Sequence, residues 1–133
     1  MANAIYPKYK EAVLQSASNS SLLTGTVKIA LVDTGTYTYS AAHEFLSSLT
    51  GVVGIAATLT TKTVANGSFD SDNPTFSGVT GASVEALVIY IDTGTASTSR
   101  LVAYLDTGFT NLPFTPNGSD VTITVNALGW FTI

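Results

Sequence analysis

Three times in this chain an apolar run ends in the same tripeptide. Ile29-Ala30-Leu31-Val32 leads into Asp33-Thr34-Gly35, Leu87-Val88-Ile89-Tyr90-Ile91 into Asp92-Thr93-Gly94, and Leu101-Val102-Ala103-Tyr104-Leu105 into Asp106-Thr107-Gly108. Runs this short, cut off by turn formers, have the length of strands rather than helices. Asp and Thr side chains at a strand exit hydrogen-bond backbone groups a residue or two on, and Gly supplies positive φ. Asp33, Gly35, Asp92, Gly94, Asp106 and Gly108 therefore read as turn residues, and the repeat predicts an all-β chain.

The rest of the composition agrees with that class. The 133 residues suit one domain with one core. Only 11% are charged, while 14 are serine and 21 threonine, so hydroxyls must cover much of the surface; Thr and Val both sit well on a pleated sheet. The net charge is −4, and the basic residues Lys8, Lys10, Lys28, Lys62 and Arg100 are scattered, which leaves no stripe for phosphate contacts and argues against nucleic acid as a partner. With no cysteine there is no disulfide scaffold and no thiolate metal site. No signal-peptide pattern opens the chain and no apolar run is long enough to cross a membrane, so the reading is a protein made in the cytosol with no membrane partner. A sparsely charged, hydroxyl-rich surface also suits burial against copies of itself or a larger assembly.

Residues 1–24 read as an N-terminal arm or short helix, ahead of a single β-sandwich domain over 25–133. Pro7 suits the first turn of a helix over Lys8–Gln15, with Glu11 near its N-terminal end. A helix packed across the end of the sandwich is the alternative to a free arm. Strands are expected over Thr26–Val32, Thr58–Val64, Thr75–Val79, Val84–Ile91, Arg100–Leu105, Val121–Val125 and Gly129–Ile133. The segments 84–91 and 100–105 are apolar on both faces and form the expected core hairpin. Asn66-Gly67 marks a hairpin turn. Ser40 is a candidate N-cap for a second helix over Ala41–Leu49, ending at Gly51. Short strands separated by turn signals favour a β-sandwich or jelly roll with one or two short helices.

Three constellations bear on chemistry. Aspartic proteases also carry Asp-Thr-Gly, and they need two such carboxylates sharing a proton. Here the second and third copies lie too close in sequence, and the segment Thr36-Tyr37-Thr38-Tyr39 and the pair Leu128-Gly129 both depart from the protease pattern. His43, the sole histidine, precedes Glu44 and lies one expected helical turn from Ser47 and Ser48, but reads as an exposed helix residue rather than a catalytic base. Asp70, Asp72 and Asn73 offer oxygen ligands without the glycine and later glutamate of a calcium loop. The expectation is no enzyme, no catalytic or metal-ligating residue and no cofactor.

Over nearly its whole length the chain resembles small virion proteins of tailed bacteriophages and prophages. The resemblance rests on Met1–Ala12, on Val32–Gly35 with Tyr37–His43, on Glu85–Gly94 followed by Arg100–Gly108, and on Leu112–Gly118. Within that setting it is most similar to capsid cement or decoration proteins, which sit on the capsid exterior and bridge neighbouring major capsid subunits. The resemblance implies a structural role in the virion, the major capsid protein as partner, and a homo-oligomer, dimer or trimer. A tail or head-fibre component is the alternative, as is a glycan- or receptor-binding module stacking its ligand on Tyr37, Tyr39, Trp130 and Phe131. Tyr6, Tyr9, Tyr37 and Tyr39 are the candidate partner contacts.

Overall fold

The computed structural model describes residues 3–133; Met1 and Ala2 of the expected arm lie outside them. Along the chain run β1 (Ala4–Ile5), α1 (Pro7–Leu14), β2 (Thr26–Val32), a 3-10 turn at Leu46–Ser48, β3 (Val52–Thr58), β4 (Thr63–Ala65), β5 (Ser68–Asp70), β6 (Thr75–Phe76), β7 (Ala86–Asp92), β8 (Arg100–Leu105), β9 (Val121–Thr122) and β10 (Phe131–Thr132). The fold is mainly β and β-sandwich-like. A five-stranded antiparallel sheet in the order β1-β8-β7-β2-β3 carries most of the core, joined by a three-stranded sheet, β10-β5-β4, and the pair β6-β9.

β7 is the middle of the large sheet, and from Ala86 to Ile91 it is buried on both faces. Leu31, Leu87 and Leu105 stand in register on one face; Ala30, Val88 and Tyr104 stand on the other. Fully burying a Leu or Ile contributes roughly 1.5–3 kcal/mol, so this strand trio is the principal source of cohesion. Phe69, Phe76 and Ile123 from the smaller sheets and their flanks belong to the same apolar cluster.

At the edge, β3 carries a bulge. Ile29 pairs with Ala57 and Leu31 with Val53, so Gly54, Ile55 and Ala56 all face the single residue Ala30. Gly54 sits at φ +69°, where a side chain would strain the backbone. The extra residues throw Ile55 outward to 88% exposure. A bulge that twists an edge strand spoils it as a template for open-ended strand pairing, and here it does so by raising one apolar side chain.

Residues 3–24 are built into the domain. The expected helix forms, starting at Pro7. β1 pairs with β8, Tyr6 N–H donates to the carbonyl of Val102, and Tyr6 is wholly buried, with Tyr9 at 3% exposure. Beyond the helix, Tyr9 OH donates to the carbonyl of Ser20, Asn19 Nδ2 to the carbonyls of Ile91 and Thr98, and Arg100 Nη2 to the carbonyl of Ser18. The arm is replaced by a strand, a helix and a strap fastened across the sheet.

The second expected helix does not form. His43 N–H reaches the Ser40 carbonyl, but Leu46 and Ser47 N–H donate to Ser99 and Ala96, and Leu101 N–H donates to Glu44. The segment spends its backbone groups on the 96–101 stretch, where Phe45 bridges to Arg100. Glu44 pairs with the Arg100 guanidinium at 3.3 Å, and Phe45 lies beneath it. Buried Arg100 requires such partners, and this demand outweighs a modest helix propensity.

Because the first 21 residues supply core tyrosines, their deletion is expected to unfold or strongly destabilise the domain, and Tyr6→Ala alone should cost about 3–5 kcal/mol, the usual range for a buried aromatic. Circular dichroism melts of the two variants test this; a truncated protein that melts with the parent would refute the strap.

Candidate functional site

β2 and β8 run parallel on either side of β7, so Asp33 and Asp106 leave the sheet at one end, flanking Glu85 at the start of β7, while Asp92 leaves at the other. The first tripeptide is held by its own carboxylate: Asp33 accepts from Gly35 N–H at 2.9 Å and from Thr36 Oγ1 at 3.1 Å. Its carbonyl also takes the N–H groups of Thr36 and Tyr37. This is a right-handed turn, so Gly35, against expectation, does not adopt positive φ, whereas Gly94 and Gly108 do. At the second, Asp92 accepts from Gly94 N–H and pairs with Lys28 at 3.3 Å. Burial acts to raise the Asp92 carboxyl, but the Gly94 amide, Lys28 and Ser99 outweigh it and hold it below the ordinary aspartate value. At the third, the amides of Asp106 and Thr107 both donate to Asn3 Oδ1, so the start of the chain caps the exit of β8.

The turn after β2 delivers Tyr37 and Tyr39 to the face of the sheet that bears Tyr104. Tyr39 lies 5.1 Å from Tyr6 and 5.4 Å from Tyr104 between ring centroids, and Tyr37 lies 6.3 Å from Tyr104. A buried hydroxyl chain runs through the cluster: Tyr6 OH and Tyr37 OH are 2.7 Å apart, and Tyr37 OH is 2.7 Å from Nδ1 of His43. One direction satisfies every group, with Tyr6 donating to Tyr37 and Tyr37 to the ring nitrogen. His43 is thus a half-buried acceptor tied to a tyrosine, not an exposed helix residue, and the helical spacing that would place it beside Ser47 and Ser48 is absent.

Beside this cluster opens a cleft of about 430 Å³, walled by Tyr37, Tyr39, Tyr104, Glu85, Asp106 and Pro113 together with threonines. Glu85 is oriented by Thr34, whose N–H and Oγ1 both donate to its Oε1, at 3.0 and 3.1 Å. Burial pushes the Tyr104 phenol above its ordinary value, with the charges of Asp106 and Glu85 adding to the effect. Tyr6 and Tyr37 are raised chiefly by burial as well.

Of the tyrosines taken as partner contacts, Tyr6, Tyr9 and Tyr37 are at most 3% exposed and present no surface; Tyr39 alone is half-buried at the cleft. Trp130 is also no stacking platform, because its ring lies against Phe109 and its Nε1 donates to Ser71. Phe131 is half-buried against Phe69. Asp70, Asp72 and Asn73 are engaged separately, with the Ser71 amide, Thr61 Oγ1 and the Val125 amide. Sequence reasoning overlooked Glu85 and the cleft-facing role of Tyr104. A single acid between Val84 and Ala86, at the mouth of the most apolar strand, was the available signal.

Elsewhere, helix α1 and the three-stranded sheet enclose an apolar groove of about 280 Å³ lined by Tyr9, Val13, Leu23, Val64, Phe131 and Ile133, among others. Among the described residues no helix is long and apolar enough to cross a membrane. No protein-family model matches the chain, and no curated protein matches it.

The buried phenols make stability sensitive to alkali. Unfolded phenols ionise near 10.0, and Tyr6, Tyr9, Tyr37, Tyr90 and Tyr104 are all held above that value. Above pH 10.0 the folded chain therefore retains more protons than the unfolded chain; this stabilisation is complete below pH 10.0 and is lost as pH rises through the folded values. Tyrosinate absorbance should rise in one steep step coincident with loss of circular dichroism, rather than gradually near pH 10.0 in folded protein.

Proposed function

We propose that the chain is a non-enzymatic structural protein of a phage particle, a capsid cement protein that binds the capsid exterior and bridges major capsid subunits. In this reading it is made in the host cytoplasm and acts as a dimer or trimer on the shell, without cofactor, nucleic acid or membrane. One observation carries the bridging: two separate apolar surfaces that share no residue, the Ile55 knob on the β3 bulge and the groove between α1 and the three-stranded sheet. Val13, Leu23, Val64 and Ile133 at the groove are 42–56% exposed. A groove with several exposed apolar side chains together marks an interaction surface, and Ile55, exposed on the same edge strand as the half-exposed Val52, offers a second apolar contact. Two such surfaces let one molecule hold two neighbours, and many copies make shell rupture require several contacts to fail together.

The test is co-sedimentation of purified protein with shells assembled without it. Ile55→Lys and Val64→Lys are each expected to weaken attachment by about tenfold or more, the equivalent of one buried aliphatic side chain, and the double variant should abolish it with melting unchanged. Full-length protein that ignores shells and accompanies isolated tails would replace cement by the tail or fibre reading. Retention on immobilised glycans without shells would favour a receptor-binding module.

A further inference from the structure

The cleft at the Asp33/Asp106 end of the sheet is a different kind of surface from the apolar knob and groove. Among the described residues, its lining holds two carboxylates, Glu85 and Asp106, and no basic side chain. Of the three tyrosines at its wall, Tyr39 is the one with appreciable exposed ring, and the electron-rich face of such a ring attracts a cation. Tyr104 is 3% exposed, lines the cleft, and its hydroxyl makes no hydrogen bond to any described residue. The ring is buried but the hydroxyl oxygen is not enclosed, so it opens on the cleft, where solvent or a ligand can meet it. Glu85 is fixed from behind by two bonds from Thr34 to one carboxylate oxygen, which leaves the other oxygen to the opening. A fixed carboxylate, a phenol oxygen and flanking rings together favour a flat, positively charged donor.

We infer that this cleft receives the guanidinium of an arginine side chain presented by a partner protein, with Glu85 as its ion-pair partner, Tyr104 OH as a hydrogen-bond acceptor and Tyr39 as the stacking wall. Arginine fits better than lysine because its planar head can stack on Tyr39 while its N–H groups point at separate oxygens, whereas an ammonium is a compact charge with three divergent donors. A neutral sugar would stack on Tyr39 but leave the Glu85 carboxylate, which makes no ion pair with any described residue, without a counter-charge. The inference stands whether or not the partner is a capsid subunit, since it concerns the chemistry of the bound side chain.

Capped tripeptides Gly-Arg-Gly, Gly-Lys-Gly and Gly-citrulline-Gly, titrated into isotope-labelled full-length protein and followed by NMR, form the probe set. Citrulline keeps the shape of arginine and removes its charge. The arginine peptide should shift the amides of Thr34, Tyr39, Glu85 and Asp106, bind more tightly than lysine, bind about tenfold more tightly than citrulline, and weaken as salt is raised. Glu85→Gln keeps an acceptor for Thr34 and should lose about tenfold in arginine affinity while citrulline binding is unchanged. Tyr39→Leu, which keeps an apolar side chain against Tyr6 and Tyr104 but removes the stacking ring, should weaken arginine more than lysine, with a melting curve to confirm that the variant is folded. Equal binding of citrulline and arginine, shifts confined to other surfaces, or no binding of the arginine peptide would each overturn the inference. Should Glu85→Gln fail to fold, the Tyr39→Leu comparison and the citrulline arm decide it. Failure here leaves co-sedimentation through Ile55 and Val64 intact, so the two readings fail separately.

Discussion

Everything in this molecule answers to β7. A strand with six consecutive buried residues leaves no face to water, so it needs hydrogen-bonded neighbours on both edges and apolar cover on both faces. β2 and β8 supply the edges along nearly its full length. Cover must come from elsewhere in a chain of this size, and it is drawn from distant stretches: Tyr6 and Tyr9 from the start, Tyr37 from the turn after β2, and Phe69, Phe76, Ile123 and Trp130 from the smaller sheets and their flanks. The short helix and the irregular segments are consequences of that demand.

The same demand explains the one costly feature of the core, a nearly buried arginine. Arg100 opens β8, and its guanidinium is held by Glu44, the Ser18 carbonyl and the Phe45 ring. Breaking a buried charge from its partners is expensive, since the charge remains without water. Arg100 therefore selects the conformation of two segments distant in sequence, the strap at 18–20 and the stretch at 44–46. A helix over 41–49 would move Glu44 and Phe45 away from it. Local propensity at Ser40 and Ala41 is worth a few tenths of a kcal/mol per residue, too little to compete.

What was legible in the sequence follows the range of the interactions involved. β2 and β8 could be read to the residue because alternation and turn chemistry are local, as could the Asn66-Gly67 hairpin, where both residues take positive φ. A packed helix is one of two readings open for the start of the chain, but how residues 3–24 are fastened was not legible: nothing in the local sequence signals that Asn3 caps the turn after β8, because that contact spans about a hundred positions. The bulge in β3 was hidden too, since Val-Val-Gly-Ile-Ala-Ala has no strict alternation to violate. Tyr6, Tyr9 and Tyr37 looked like surface aromatics in polar surroundings, but their hydroxyls are satisfied inside the fold. Tyrosine sequence context does not distinguish an exposed ring from a buried one with a partner. The three Asp-Thr-Gly turns also proved less alike than their letters, each closed by a different donor set.

The division of surfaces follows from the same architecture. Antiparallel order sends β2 and β8 out at one end with β7 entering between them, so the acids that terminate or precede these strands gather there: Asp106, Glu85 and, across the turn, Asp33. The tyrosines that cover one face of the sheet meet those acids at its rim and give the cleft its mixed aromatic and acidic walls. At the lateral edge no acid is available; β3 has only small and apolar residues, and the bulge converts them into a single protruding isoleucine. Acidic, aromatic surface and apolar surface are thereby kept on different parts of one sheet. A partner engaging both must match charge at the sheet's end and shape at its edge, which is a stricter requirement than either surface imposes alone.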